Sequence, residues 1–210
     1  MRKIGIFGGS FDPVHHGHLR TAREITEALG LDLLLFIPSG RPPHRDAPVA
    51  SAAQRLAMLR AALADEPYFQ VDEQEIKRAA PSYTVDTLTA LRAGHPADAL
   101  VLLVGSDAFL GLPTWHRWRE LFGLAHVAVV HRPGWKLEPA AELKAEMDQR
   151  LAADPRAALG RPAGSVLLVP VMPQDISSTQ VREAAAAGRD LTAWVPSPVA
   201  KLITDSHCYG

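Results

Sequence analysis

The sequence predicts an α/β protein: a doubly wound parallel sheet with helices on both faces and a small C-terminal helical tail. Three observations point there. Five short apolar runs are nearly continuous rather than alternating, as strands buried on both faces are. Amphipathic stretches of helical length separate them, in the order that builds βαβ units. The length of 210 residues suits one full domain with its own core. The chain is therefore read as a single domain over 1–210, with the part after about residue 165 as an extension packed on the sheet.

The first run is Lys3 to Phe7, and the loop Gly8 to Gly17 links it to a helical pattern from His18 to Leu29. The second run, Leu31 to Ile37, leads through the Pro-rich loop Pro38 to Pro48 to a helical pattern over Ala52 to Ala64. A further helical pattern, Val85 to Ala93, precedes the third run, Ala99 to Val104. Gly105 to Thr114 then reads as a loop and Trp115 to Phe122 as a helix, which puts Trp115 and Trp118 on one face. After the fourth run, Ala125 to Val130, come the loop His131 to Glu138 and a helix over Ala140 to Ala152. Pro155 to Gly164 is polar and turn-rich, so it reads as a connector extending a surface arm. The fifth run, Val166 to Val171, carries Pro170; the loop behind it ends at Ser177, and a helix covers Ser178 to Ala187.

Composition mainly excludes. Hydrophobic residues at 47% and charged residues at 21% describe an ordinary water-soluble globule, not a disordered or fibrous chain. Lys plus Arg number 22 against 23 Asp plus Glu, a net charge of -1, so no global field draws the chain to nucleic acid or to an anionic membrane. Anion binding must be local. The one cysteine, Cys208, rules out a disulfide framework and a thiolate zinc site and fits a reducing cytoplasm. The apolar stretch Ile4 to Phe7 is too short for a signal sequence, and no run approaches the roughly 18 residues of a membrane span.

Ligands of such sheets bind at the carboxyl ends of the strands, which directs attention to the loops. The first reads Gly8-Gly9-Ser10-Phe11-Asp12-Pro13-Val14-His15-His16-Gly17-His18. It joins a buried strand to a helix start, whose free N–H groups and positive dipole end suit a phosphate, and two glycines permit close backbone approach. Neither GxxxxGK[ST] nor GxGxxG occurs. His15 and His18 there are expected to be neutral in the empty protein and charged around a polyphosphate, useful where negative charge builds in a transition state. A plain turn with solvent-facing histidines is the bland alternative. A zinc site from His15, His18 and His44 is another, but only Asp12 offers further ligand chemistry in this stretch; magnesium carried on the substrate's own phosphates is the better reading.

The second loop, Ser39-Gly40-Arg41-Pro42-Pro43-His44-Arg45, gathers guanidinium and imidazole groups on a stiff segment, either for phosphate or as a solvated basic loop. In Ile176-Ser177-Ser178-Thr179-Gln180-Val181-Arg182, Ser177 and Gln180 have capping-box spacing. Arg182 in the first turns opposes the helix dipole unless an anion sits there. Arg20 and Arg23 invert the dipole in the same way, or form i,i+4 pairs with Glu24 and Glu27. Asp107, after the third run, suits a ribose hydroxyl or a turn. No HExxH or GxSxG occurs, and no cysteine stands near a base.

Taken together these motifs resemble the bacterial nicotinate mononucleotide adenylyltransferases of the HxGH nucleotidyltransferase superfamily, whose sheet is Rossmann-like. The likeness extends through Ser82-Tyr83-Thr84-Val85-Asp86-Thr87-Leu88, Gly105-Ser106-Asp107 and Arg132-Pro133-Gly134. It implies transfer of AMP from ATP, with magnesium on the ATP phosphates, to nicotinate mononucleotide. His15 and His18 would be catalytic. Gly8, Gly9, Ser10, Phe11, His44, Gly105, Asp107, Ser177, Ser178, Thr179 and Arg182 would join them on ATP, while Arg41, Arg45, Tyr83, Thr84, Trp115, His116 and Arg132 would hold the acceptor. His116 stands where many members have Tyr, and Trp135 to Gly164 is longer than in compact members. The alternatives are nicotinamide mononucleotide or phosphopantetheine as acceptor, or a non-catalytic nucleotide-binding regulator; retention of both histidines and of the Ser177 to Arg182 segment speaks against the last.

Overall fold

The computed structural model describes residues 1–41, 47–135 and 137–210. Its strands are β1 (Lys3–Gly9), β2 (Leu33–Pro38), β3 (Phe69–Val71), β4 (Ala99–Gly105), β5 (His126–His131) and β6 (Val166–Pro170). They form one six-stranded sheet in the order β3-β2-β1-β4-β5-β6. Lys3 pairs with Ala99 in the parallel β1–β4 ladder, and Val101 with His126 and Val127 with Val166 in the next two. The helices are α1 (His16–Leu29), α2 (Ala52–Leu63), α3 (Gln74–Lys77), α4 (Thr84–Gly94), α5 (Ser106–Leu110), α6 (Leu121–Leu124), α7 (Ala141–Arg150), α8 (Pro155–Ala158), α9 (Ser178–Ala186) and α10 (Ser197–Ser206). The α/β parallel-sheet class expected from the apolar runs is the fold observed. All of β4 up to Val104 is buried, so no alternation could have marked it.

Contacts gather into two compact units, each drawn from three stretches of chain. One holds Met1–Phe7, Glu24–Leu35 and Tyr83–Pro173; the other holds Gly8–Arg23, Phe36–Ser82 and Gln174–Gly210.

Several expectations need correcting. Trp115 to Phe122 is not one helix: Arg117 adopts a left-handed φ of 52°, and short 3-10 turns at Leu112–Thr114 and Trp118–Glu120 flank it, with α6 beyond. Arg117 is held there by Glu120 at 2.6 Å and lies 3.8 Å from Asp86. The expected loop after β4 instead begins directly with α5, capped by Gly105. Nor is 135–164 a free arm. Leu143 of α7 and Leu159 after α8 are fully buried, Leu151 bridges to Val166, and Arg156 donates at 2.7 Å to the Ala28 carbonyl. Three elements had no sequence signal strong enough to be expected: the three-residue β3, the single-turn α3, and α10, which Pro198 opens.

Candidate active site

The glycine-histidine loop leaves β1 as Gly8 and Gly9. A Cβ on Gly9 would meet the Phe11 ring at 3.1 Å, whereas one on Gly8 would meet nothing within 4 Å. Gly9 is thus a packing requirement, and Gly8 leaves open space. Phe11 takes a left-handed φ of 47°, which costs an L-residue about 1–2 kcal/mol. Its ring is 1% exposed, and burial of that kind contributes about 1.5–3 kcal/mol, so packing wins. The ring sits edge-on to His18 at 5.2 Å and against Phe36 at 5.5 Å. In this way Phe11 shapes the site from inside the fold.

His15 and His18 stack at 3.7 Å, 24° from parallel. The His15 N–H donates to Nδ1 of His18, and the His18 N–H donates to Nδ1 of His15, each at 3.3 Å. A ring nitrogen that accepts from an amide carries no proton, so both imidazoles are neutral with the hydrogen on Nε2. Their titration agrees. Burial, helped by His16, lowers the His15 pKa from 6.5 to about 4. Burial, helped by His15, holds that of His18 well below the ordinary value. Gly17 is the glycine that allows this approach, since a Cβ there would lie 3.0 Å from Nδ1 of His15.

The same unit contributes α9. Ser177 caps it in the expected box with Gln180, and the Ser178 hydroxyl donates to the Pro13 carbonyl at 3.0 Å. Arg182 donates through Nη1 to the Asp12 carbonyl at 2.8 Å and through Nη2 to the Thr179 hydroxyl at 3.2 Å. Its nearest carboxylate oxygen, Oδ2 of Asp12, is 4.0 Å away. The inverted charges of α1 are not i,i+4 pairs: Arg20 donates to Gln174 at 3.3 Å, and Arg23 binds Glu66 at 3.1 Å. Arg41 is exposed and donates to the Ala79 carbonyl at 3.3 Å; His44 and Arg45 lie outside the described residues.

Two residues of this unit, Arg55 and Tyr209, were not singled out from sequence, and a third, Asp12, was weighed only as a metal ligand. Asp12, 4% exposed, accepts at its carboxylate from the N–H groups of Val49 at 2.7 Å and Ala50 at 3.0 Å and from the Tyr209 hydroxyl at 2.8 Å. Arg55, 2% exposed, donates to the carbonyls of Ser10 at 2.6 Å and Ser39 at 2.8 Å, so it clamps the turn that follows the glycines. An arginine on a helix and a tyrosine near the C-terminus carry no local pattern that separates them from ordinary surface residues; only Asp12, inside the motif, had a signal. Among the described residues no group of three His, Cys, Asp or Glu side chains is arranged to hold a metal.

The other unit carries the remaining candidates. Gly105 ends β4, with open space where its Cβ would be, and Asp107 is exposed in the first turn of α5. Tyr83 caps α4, with Thr84 its first residue, and the Tyr83 ring lies 4.4 Å from that of His116. The two tryptophans part company. Trp118 is 6% exposed and covered by Arg119 at 4.4 Å, so it is core, while Trp115 is half-buried and has a face to offer. Arg132 is exposed just beyond β5, where its carbonyl faces Nδ1 of His131 at 3.0 Å.

Comparison with known proteins agrees with this fold. The cytidylyltransferase-like family profile matches residues 6–184. A Pseudomonas putida protein named as a "probable nicotinate-nucleotide adenylyltransferase" is 47% identical over 210 residues, covering 100% of this chain and 95% of the relative. A Halorhodospira halophila protein of the same name is 45% identical over 100% of this chain and 96% of its own length. Among solved structures, Plasmodium falciparum nicotinic acid mononucleotide adenylyltransferase complexed with NaAD shares the fold, with a TM-score of 0.72 over 100% of this chain and 98% of that one at 14% identity. A family profile over residues 6–184 and relatives alike along their whole length place this chain in the cytidylyltransferase-like family, among the nicotinate-nucleotide adenylyltransferases.

Proposed function

We propose that this chain transfers the AMP of ATP to nicotinate mononucleotide, forming nicotinate adenine dinucleotide and pyrophosphate. The observation that carries the reading is the stacked His15–His18 pair, held neutral by backbone donors on the loop that follows β1. The acceptor phosphate is already ionised at neutral pH, so the reaction needs no general base; positioning and charge stabilisation carry it. Two Nε2–H donors meet the ATP phosphates at little desolvation cost, since neither ring carries a charge beforehand. As charge accumulates on the leaving pyrophosphate, each Nε2–H bond to it strengthens. Arg182 supplies the fixed positive charge. Gly8, Gly9 and Ser10 bring backbone to the nucleotide, with Gly105 and Asp107, and His44 adds a further donor. Ser177, Ser178 and Thr179 present the α9 end to phosphate.

Magnesium enters as part of the MgATP substrate. The Asp12 carboxylate of this loop is already taken by Val49, Ala50 and Tyr209, which leaves cation coordination to phosphate and water oxygens. Trp115 stacks on the pyridine ring, and Thr84, Tyr83 and His116 address its carboxylate. Arg41, Arg45 and Arg132 favour the acid over the amide. No described helix is long and apolar enough to cross a membrane. We place the reaction in the cytoplasm, where ATP is abundant and the lone Cys208 stays reduced.

The test is pyrophosphate release from ATP and magnesium with nicotinate mononucleotide, nicotinamide mononucleotide or phosphopantetheine as acceptor. The acid should be the fastest. Faster turnover of the amide overturns the acceptor assignment, and ATP binding without turnover of any acceptor supports the regulator instead.

A further inference from the structure

Tyr209 is 8% exposed, and its hydroxyl donates at 2.8 Å to Oδ1 of Asp12, 197 residues earlier in the chain. Its place is built. α10 packs on α2 and buries Val199 and Ile203, and His207 then takes a left-handed φ of 49° that turns the last residues back. Burial and the bond to Asp12 push the phenol pKa well up, so the hydroxyl is a permanent donor.

A carboxylate has about four acceptor positions. Ala50 and Tyr209 use Oδ1, and Val49 uses Oδ2. Arg182 stands 4.0 Å from Oδ2 and binds the Asp12 main-chain carbonyl at 2.8 Å. The distinction matters electrostatically. A guanidinium bound to a carbonyl keeps its full charge for an incoming anion, whereas one closed bidentately on a carboxylate has lost most of it.

We propose that Tyr209 is a positioning residue for the nucleotide site: by anchoring the Asp12 carboxylate through Oδ1 beside the Val49 and Ala50 amides, its hydroxyl keeps the carboxylate from swinging onto Arg182 and leaves the guanidinium for the ATP phosphates. This rests on Arg182 binding ATP, as in the function proposed above. Without the hydroxyl, Oδ1 is left short of a donor in a buried place and the carboxylate is free to turn; Arg182, 4.0 Å from Oδ2, is in reach, whereas buried Arg55 is held by the Ser10 and Ser39 carbonyls. The loss falls on ATP, because Asp12 and Arg182 belong to the ATP loop and α9.

The test is a double-mutant cycle in the full-length protein. Affinity for a non-hydrolysable ATP analogue is measured by calorimetry, alongside KM and kcat for both substrates and Tm. Tyr209→Phe keeps the ring and should weaken ATP binding about tenfold, the scale of one charge-linked hydrogen bond, with the acceptor KM changed less than about twofold. In an Asp12→Asn background, where no carboxylate can capture Arg182, adding Tyr209→Phe should change ATP affinity by less than about twofold. Val199→Ala, which loosens α10 without touching Asp12, should lower Tm and leave ATP affinity unchanged. Unaltered ATP affinity in Tyr209→Phe, an equal loss in the Asn background, or an equal loss from Val199→Ala each overturns the proposal. A wild-type protein that binds the analogue but transfers AMP to no acceptor overturns the enzymatic reading and leaves the cycle readable; one that does not bind it overturns this proposal too.

Discussion

His15 and His18 accept from each other's backbone amides, so each ring is committed to one tautomer before any ligand arrives. Removing such a donor from a site where charge develops costs about 10²-fold to 10³-fold in rate, and His18→Ala should lower kcat by that factor. A raised KM with unchanged kcat would reduce His18 to a binding residue. The pH behaviour follows from the lowered values. A histidine whose pKa is depressed on folding favours the neutral form, so its contribution to stability is complete above 6.5 and is lost as pH falls from 6.5 through the His15 value of about 4. Nitrogen-15 spectra of the empty protein should accordingly show Nε2–H imidazoles at neutral pH and titration of His15 near that value, and ATP should move it upward. An imidazolium at pH 7 in the empty protein contradicts the assignment. His126 is the informative contrast. It is fully buried, with Nε2 at 2.8 Å from the Arg161 carbonyl and Nδ1 accepting from Ser165 at 3.2 Å, a histidine wholly used by the fold.

At the level of elements, α1 and α9 show how ordinary helix chemistry becomes site chemistry. The first turn of α1 contains Gly17, a poor helix former, and replacing glycine by alanine inside a helix is usually worth up to about 1 kcal/mol in stability. Here the added Cβ would stand 3.0 Å from His15 Nδ1 and 3.3 Å from Gln174 Cβ, so His15 must shift. Gly17→Ala should cut kcat about tenfold, given that a misplacement near 1 Å can cost about 10²-fold, with Tm little changed; full activity would show that the ring accommodates the methyl. The capping box of α9 was legible from Ser177 and Gln180 because it is a local spacing rule. The break at Arg117 was not, because a single left-handed residue, here with Asp86 and Glu120 beside its guanidinium, leaves no mark in the periodicity of the stretch.

For the molecule as a whole, stability depends on groups that sequence leaves anonymous. In the unit containing β4 to β6, Arg92 donates to the carbonyls of His95, Asp98, Leu124 and Pro162 at 2.8–2.9 Å, tying the end of α4 to chain 70 residues away. Lysine cannot reproduce that planar fork. Arg92→Lys should cost about 1 kcal/mol, the scale of hydrogen bonds lost from part-buried acceptors, seen as a lower urea midpoint with KM values unchanged; wild-type stability would mean water replaces the fork. The sequence by itself determined five of the six strands, since short, near-continuous apolar runs such as Ala99–Val104 suit strands buried on both faces, whereas three-residue β3 carried no such signal. It also marked the glycine-histidine loop and the α9 cap as candidates, since glycines, histidines and a serine cap act through neighbours a few residues away. Which tryptophan is core, what Asp12 is for, and why Arg55 and Tyr209 matter were decided only by the tertiary structure. Their partners lie between 16 and 197 residues away, and a hydrogen bond across that distance leaves no periodicity in the chain that makes it.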